Sequence, residues 1–406
     1  MDLFIKTALS LISWLWVLQP ACGWYKSFRG RHLLTNHLTW IKDALKQQPQ
    51  RPVVIIAPVK GHTPHLKSFL DFVLNQDYSD YRVIFVTEST ADTAHQAIKA
   101  RLDLDSSNPC EASLVVAGLS QHCGQKVHNQ LAALKILTEE DDIIALIDSD
   151  TNGPNNWLAC LVFSLNAGQA DFTSSNRWFL PMRPTLATRI PTLIAISADA
   201  LLKPGRRMLL WGGSMAMTRA VYDELDLYSG ISGSLNDDIQ ITHLAIQSNK
   251  CMRYARSVAT LTPINYNWAG LIKFGRRQYF QLRIYRPPLW WTLVLILAIY
   301  VAGFSACVIQ LTMGNLLMLI PLSMAAGFGM ARDSVRLQII HERFAEPETQ
   351  KKLDRSLRGS FLLDPFVHGL HLLIMLSTAF GRKISWSGIR YLVKGRQSLE
   401  VLQRDI

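Results

Sequence analysis

Cysteine is sparse in this chain and never clustered. Cys22, Cys110, Cys123, Cys160, Cys251 and Cys307 are scattered, with no Cys-x-x-Cys pair among them. That argues against a disulfide framework or a zinc site and fits a reducing compartment. Charge is also limited, at 18% of residues, and acidic residues are fewer than basic ones, leaving a formal net charge of +11. A basic balance suits either nucleic acid or the anionic cytoplasmic face of a membrane. No Arg/Lys stripe interleaved with aromatics and no nucleic-acid module is present, so the bilayer is the expected partner and nucleic acid is not. What the chain has in excess is apolar residues, at 49%, and these are unevenly spread. Its 406 residues leave room for one large domain plus membrane segments.

No charged residue occurs from Thr7 to Tyr25, a stretch near the minimum length for spanning the hydrocarbon core. Lys26, Arg29 and Arg31 follow it, which places the next segment in the cytoplasm by the positive-inside rule. A cleaved signal peptide is the competing reading, with Lys6 ahead of a short apolar core; we take 1–25 as an N-terminal anchor. After Pro287-Pro288, Leu289 to Leu311 is long enough to span, and Asn315 to Ala331 is a second, shorter apolar segment. Residues 289–331 are therefore expected to hold two transmembrane segments. The basic run from Arg332 to Arg358, within 332–364, marks a return to the cytoplasm. Pro365 to Phe380 is apolar again but precedes a tail with Arg382, Lys383, Arg390, Lys394 and Arg396. Spanning would leave that tail outside, so 365–380 is read as re-entrant or interfacial.

The region between these segments alternates strands and helices. Val53–Pro58, Val83–Val86, Ser113–Ala117 and Ile143–Ile147 are short apolar runs, and Leu66–Leu74 has helical spacing. Such alternation predicts a mostly parallel sheet covered by helices, with ligands beyond the carboxyl ends of its strands. Acidic residues follow two of these runs. Asp148-Ser149-Asp150 comes directly after Ile143–Ile147, and Glu88 and Asp92 come after the second run. Paired carboxylates at a strand end suit Mg²⁺ or Mn²⁺ and a diphosphate, because hard cations take oxygen ligands. An Asp-x-Asp read alone is more often a solvated turn, and Glu88 or Asp92 alone an ordinary loop residue. Asn236-Asp237-Asp238 opens a helix-like pattern, where an N-cap and a functional carboxylate are both open readings. Arg177 and Trp178 line a pocket or pack as core. His128, His341, His368 and His371 lack ligand spacing and are taken as structural.

In order, these segments resemble the family-2-type glycosyltransferases, in particular the ceramide glucosyltransferase group and its bacterial relatives, over roughly Pro52 to Arg286. Val54–Gly61 and Leu74-Asn75-Gln76-Asp77-Tyr78 resemble the group's opening strand and helix. Glu88 stands where the group has its first aspartate, near the nucleotide base, and Asp92 matches the acidic residue after it. Gln125-Lys126-Val127-His128-Asn129 is similar to the Pro-Lys-x-Asn-Asn segment, which implies a donor or diphosphate contact for Lys126. Asp148 and Asp150 match the metal and diphosphate motif. Gly212–Met217, with Gly213, resembles the glycine-rich segment facing donor and acceptor. Asp237-Asp238 falls at the Glu-Asp position, implying that Asp238 is the general base.

The final family motif, Gln or Arg, two residues, then Arg-Trp, is not matched. Arg276, Arg277, Gln278 and Tyr279 stand in its place, with the two arginines as the replacement charge. In the tail, Ile384-Ser385-Trp386-Ser387-Gly388-Ile389-Arg390-Tyr391 resembles a segment following the last membrane element, and we expect an amphipathic helix there.

The resemblance implies a GT-A-like, nucleotide-sugar-binding α/β domain over 50–286, flanked by transmembrane helices at both ends of the chain. It also implies inverting transfer of a hexose from a UDP-sugar, glucose foremost, to a membrane lipid hydroxyl such as that of ceramide or diacylglycerol. The cofactor is Mg²⁺ or Mn²⁺, and the setting is an integral membrane protein whose catalytic domain faces the cytoplasm, as in a bacterial inner membrane. A polysaccharide synthase would need more spanning segments for its channel. An inactive relative is disfavoured by the intact Asp148, Asp150 and Asp238.

Overall fold

The structure, a computed structural model, describes residues 3–103, 110–199, 208–258 and 260–404. The chain forms two compact units. One comprises His37–Trp178, Leu202–Pro263 and Arg382–Ile406; the other comprises Met1–Asn36, Phe179–Leu201 and Ile264–Gly381.

The first unit is built on a seven-stranded sheet. Its strands are β1 (Val53–Pro58), β2 (Tyr81–Thr87), β3 (Glu111–Val116), β4 (Ile143–Ile147), β5 (Phe172–Ser174), β7 (Ser214–Thr218) and β8 (Met252–Tyr254), while β6 (Arg177–Pro181) pairs separately with β9 (Thr260–Ile264). The order is β3-β2-β1-β4-β7-β5-β8, and only β7 runs against the others. This is the mixed, mostly parallel sheet of the expected fold class. β1 and β4 are buried along their whole length, because helices cover both faces. Side chains alternate across the sheet: Val53, Ile55 and Ala57 pack with Phe69, Trp157 and Leu161, whereas Val54 and Ile56 pack with Val127, Leu131 and Ile241. β1 lies between β2 and β4, so the strand order reverses at β1, where ligands sit in open sheets of this kind.

The tail contradicts the expected amphipathic helix. β10 (Lys383–Trp386), β11 (Ile389–Gly395) and β12 (Ser398–Arg404) form an antiparallel three-stranded sheet in the same unit. Trp386 pairs with Ile389, leaving Ser387 and Gly388 as a two-residue loop with φ of 49° and 75°. That is the chemistry of a primed hairpin turn, and the Ile-x-Trp…Ile-x-Tyr-x-Val spacing is a period of two, not of 3.6.

The second unit contains two helices long and apolar enough to cross a membrane, Pro287–Thr312 and Leu316–Arg343. The helices Pro347–Leu357 and Ser360–Leu376 also qualify as a pair but are bent by 45° at their break. The expected N-terminal anchor falls across two helices, Leu3–Trp16 and Leu18–Gln47, the second of which carries the basic residues that were to flank it. Gly303 lets Leu3–Trp16 approach the Pro287–Thr312 helix closely, since a Cβ there would lie 2.4 Å from that of Trp16. Arg332, expected in a basic segment after the span, continues the same helix. It is buried, with Asp333 and Asp364 at 2.9 and 2.8 Å, so the charge is paired where it leaves water.

Candidate active site

Four backbone segments of the first unit bring charged side chains together at the carboxyl end of β4. Asp148 and Asp150 leave the end of β4. Lys126 sits on the first turn of the helix Gln125–Leu134, and Asp237 and Asp238 occupy the first turn of Asp237–Gln247. The Asn236 side chain accepts from the Ile239 N–H, so Asn236 is the cap and Asp237 and Asp238 follow it in the first turn. Because β7 runs antiparallel to β4, with Ile147 opposite Ser214, the Gly212-Gly213 pair arrives at the same edge.

Lys126 is the hub. Its Nζ lies 2.6 Å from Asp148 Oδ1 and 3.0 Å from Asp237 Oδ2. Burial works to lower the lysine pKa, but Asp148, Asp237 and Asp238 outweigh it and hold the ammonium above its ordinary range. Asp237 is fully buried, and its Oδ2 also accepts from Gln130 Nε2 at 2.7 Å. Asp238 is half-buried. Its Oδ2 accepts from the Gly212 N–H at 3.0 Å, while its Oδ1 has no hydrogen-bond partner. Burial, then the Asp237 charge, push the Asp238 carboxyl up to about 6, against the opposing pull of Lys126. Oδ1 of both carboxylates is buried without a hydrogen-bond partner; Asp237 is the more deeply buried of the two, and Asp238 is the one bonded to the glycine backbone.

The glycine pair is a steric requirement. A Cβ on Gly212 would lie 2.7 Å from Asp237 Oδ2 and 3.1 Å from Lys126 Nζ. One on Gly213 would strike the Trp211 ring and lie 2.8 Å from Asp148 Oδ2. Only glycine lets the backbone lie this close to the carboxylates.

Arg177 completes the cluster. Its guanidinium bonds Asp148 Oδ2 at 2.9 Å and Asp150 Oδ1 at 3.4 Å, and it lies 4.9 Å over the Trp211 ring. Its neighbour Trp178 is fully buried and belongs to the core. Adjacent strand residues point to opposite faces, and that alternation along β6 separates the two roles.

The carboxylates suit a divalent cation of the Mg²⁺ or Mn²⁺ type. Lys126 pairs with Asp148 and Asp237, Arg177 pairs with Asp148 and Asp150, and Asp150 is 54% exposed. Among the described residues no group of three His, Cys, Asp or Glu side chains forms a closed metal cage. Such ions are commonly held by one or two carboxylates, with substrate phosphates and water completing the shell.

Two predicted residues stand nearby on the same strand ends with other partners. Glu88, after β2, pairs with Lys60 at 2.9 Å. Asp92 Oδ1 accepts from the N–H groups of Gly61 and Ala94, tying the β1 loop to a helix start. Arg276, Arg277, Gln278 and Tyr279 belong to the helix Trp268–Tyr285 of the second unit. There Arg276 donates to the Ser377 carbonyl, Arg277 lies over Phe274, and the Tyr279 ring meets that of His371.

The model of glycosyl transferase family 21 matches residues 29–399. No curated protein matches the sequence. Among solved structures, a mannosyltransferase, PcManGT, from Pyrobaculum calidifontis in complex with GDP-Man and Mn²⁺ is similar. It is 14% identical with a TM-score of 0.47, over 85% of this chain and 99% of that one. S. aureus TarS 1–349 is 12% identical with a TM-score of 0.37, over 87% of this chain and 100% of that one.

Proposed function

The chain belongs to glycosyl transferase family 21, and from that premise we propose that it transfers a hexose, glucose foremost, from a UDP-sugar to the hydroxyl of a membrane lipid such as ceramide or diacylglycerol. The observation that carries this reading is the cluster Lys126–Asp148–Asp237–Asp238, in which Asp237 and Asp238 each keep one buried oxygen without a partner beside a fixed cation. The two apolar helices of spanning length favour an acceptor drawn from the bilayer, with the catalytic unit on the cytoplasmic side.

Each residue then has a physical task. Asp238 takes the proton of the acceptor hydroxyl as that oxygen attacks the anomeric carbon, and the sugar–phosphate bond breaks on the opposite side. One displacement inverts the anomeric centre. A carboxyl poised near neutrality is well matched to that proton transfer. The Gly212 N–H holds the other oxygen of Asp238, fixing the carboxylate plane. Lys126 and Arg177 supply positive charge where the leaving diphosphate gathers its negative charge, a preorganised contribution of the kind that dominates many enzymes. Asp148 and Asp150 would hold a divalent cation, which when bound supplies further neutralisation of the diphosphate. Glu88 and Asp92 are assigned to the nucleotide side, with Gly213 at the donor–acceptor face. Arg276, Arg277, Gln278 and Tyr279 are assigned to the diphosphate end.

The test is lipid mass spectrometry after heterologous expression of the wild type and of Asp150→Ala. A hexosylated lipid made by the wild type and missing from the variant is the expected result. Identical lipid profiles with and without the wild-type protein, across hosts that supply ceramide and diacylglycerol, would defeat the reading.

A further inference from the structure

The C-terminal strands have no part in the chemistry above, yet they touch both elements that carry it. The helix Gln125–Leu134 begins at Gly124, which has no side chain to cap it. A helix start leaves its first N–H groups unpaired. Here the N–H of Gln125 finds the hydroxyl of Tyr391, on β11, at 3.2 Å. Tyr391 is 2% exposed and acts as the missing cap, one residue from Lys126.

The second contact is made by the β11–β12 turn. Gln397 Nε2 donates to the carbonyls of Ser229, Gly230 and Ser232, at 2.9, 3.0 and 3.2 Å. These carbonyls end the short helix Leu227–Ile231 and open the loop that leads to Asn236, Asp237 and Asp238. The Gln397 carbonyl packs so closely on Gly233, at φ 76°, that a Cβ there would lie 2.4 Å away. That loop in turn backs onto the Lys126 helix. Gly124 donates to the Ser234 carbonyl at 2.8 Å, and a Cβ on Gly124 would lie 2.3 Å from the Leu235 oxygen. Tyr391 and Gln397 therefore grip the two pieces of backbone whose relative placement sets the 3.0 Å contact between Lys126 and Asp237.

We propose that the C-terminal three-stranded sheet is a positioning element of the active site, with Tyr391 and Gln397 as positioning residues that hold the Lys126 helix in register with the loop carrying Asp237 and Asp238. The inference rests on the transferase reading for its catalytic consequence, but not for the mechanical coupling itself. Neither residue touches substrate. Their effect passes through Lys126, whose misplacement weakens its hold on the donor diphosphate.

The experiment compares full-length wild type, Tyr391→Phe and Gln397→Ala with Lys394→Gln, which breaks only the exposed Lys394–Glu400 pair of the same sheet. Two readouts are taken: donor KM at matched folded fraction, and amide hydrogen exchange. Loss of the Tyr391 bond, or of the Gln397 set, is expected to raise donor KM about fivefold or more. Lys394→Gln should match the wild type. A purely structural loss would lower the amount of active enzyme and leave KM alone. Exchange at 124–128 and 232–238 should accelerate together in both variants, while β4 is unaffected. If the wild type transfers no sugar, the transferase reading fails, and the exchange data still decide the coupling. Unchanged exchange in both segments, or acceleration in one segment without the other, would overturn the proposal. So would an unchanged donor KM in an active enzyme.

Discussion

Asp237 and Asp238 are neighbours of the same residue type, but their surroundings assign them different work. Asp237 is fully buried and bonded by Lys126 and Gln130, whereas Asp238 is half-buried and takes the Gly212 N–H. Burial and the adjacent Asp237 charge raise Asp238 to about 6. As a base it works only when deprotonated, so kcat/KM should climb with pH up to about 6 and level off above it. Below that value it should fall roughly tenfold per unit. The sign for stability is the reverse. The folded state binds this proton more tightly than the unfolded chain, so the Asp238 contribution weakens as pH rises from the ordinary carboxylate range through about 6. Asp238→Asn should lower kcat by about a thousandfold, within the usual range for a general base, and remove the acid limb. A pH–rate profile of both proteins checks this, and a variant that retains full activity would dismiss Asp238 as the base.

Between elements, one ion pair ties strand to loop at the end of the sheet opposite the site. Arg82 on β2 meets Asp141, just before β4, through Nε at 2.8 Å and a terminal nitrogen at 2.6 Å. Asp141 is 4% exposed in its side chain and also accepts from the Thr138 N–H. Burial would raise its pKa, but the Arg82 and Thr138 bonds outweigh it and hold the carboxyl below its ordinary value. A depressed pKa means that this stabilisation is complete above the unfolded carboxylate range, near pH 4, and is lost as pH falls through the folded value. Asp141→Asn is expected to cost about 2–4 kcal/mol at neutral pH and to flatten the acid side of the stability curve. Denaturant titrations at pH 7 and pH 3 measure both effects; equal loss at the two pH values would show that the charge is immaterial.

For the molecule as a whole, the balance of charge and hydropathy points to a bilayer. Pro287–Thr312 and Leu316–Arg343 are of spanning length, and the net charge of +11 complements an anionic membrane surface. The protein should therefore remain in the membrane pellet through alkaline carbonate washing, which strips surface-bound proteins. Release into the wash would mean that neither helix spans.

Local pattern determined much of this protein. Continuous apolar runs fit strands buried on both faces, so β1 and β4 were legible in full, and Asp148 and Asp150 were legible from their place at the end of β4. Tertiary structure decided the rest. The tail carried a period of two, yet only its pairing made Tyr391 and Gln397 neighbours of residues more than 150 positions away. Arg177 could be read in sequence only as pocket lining or core, because the acids it bonds are 27 and 29 residues back along the chain. The Asp-Ser-Asp motif is a pair of carboxylates in any sequence. Packing beside Lys126, Arg177 and two glycines is what confines their charge, and burial beside Asp237 is what raises the Asp238 carboxyl.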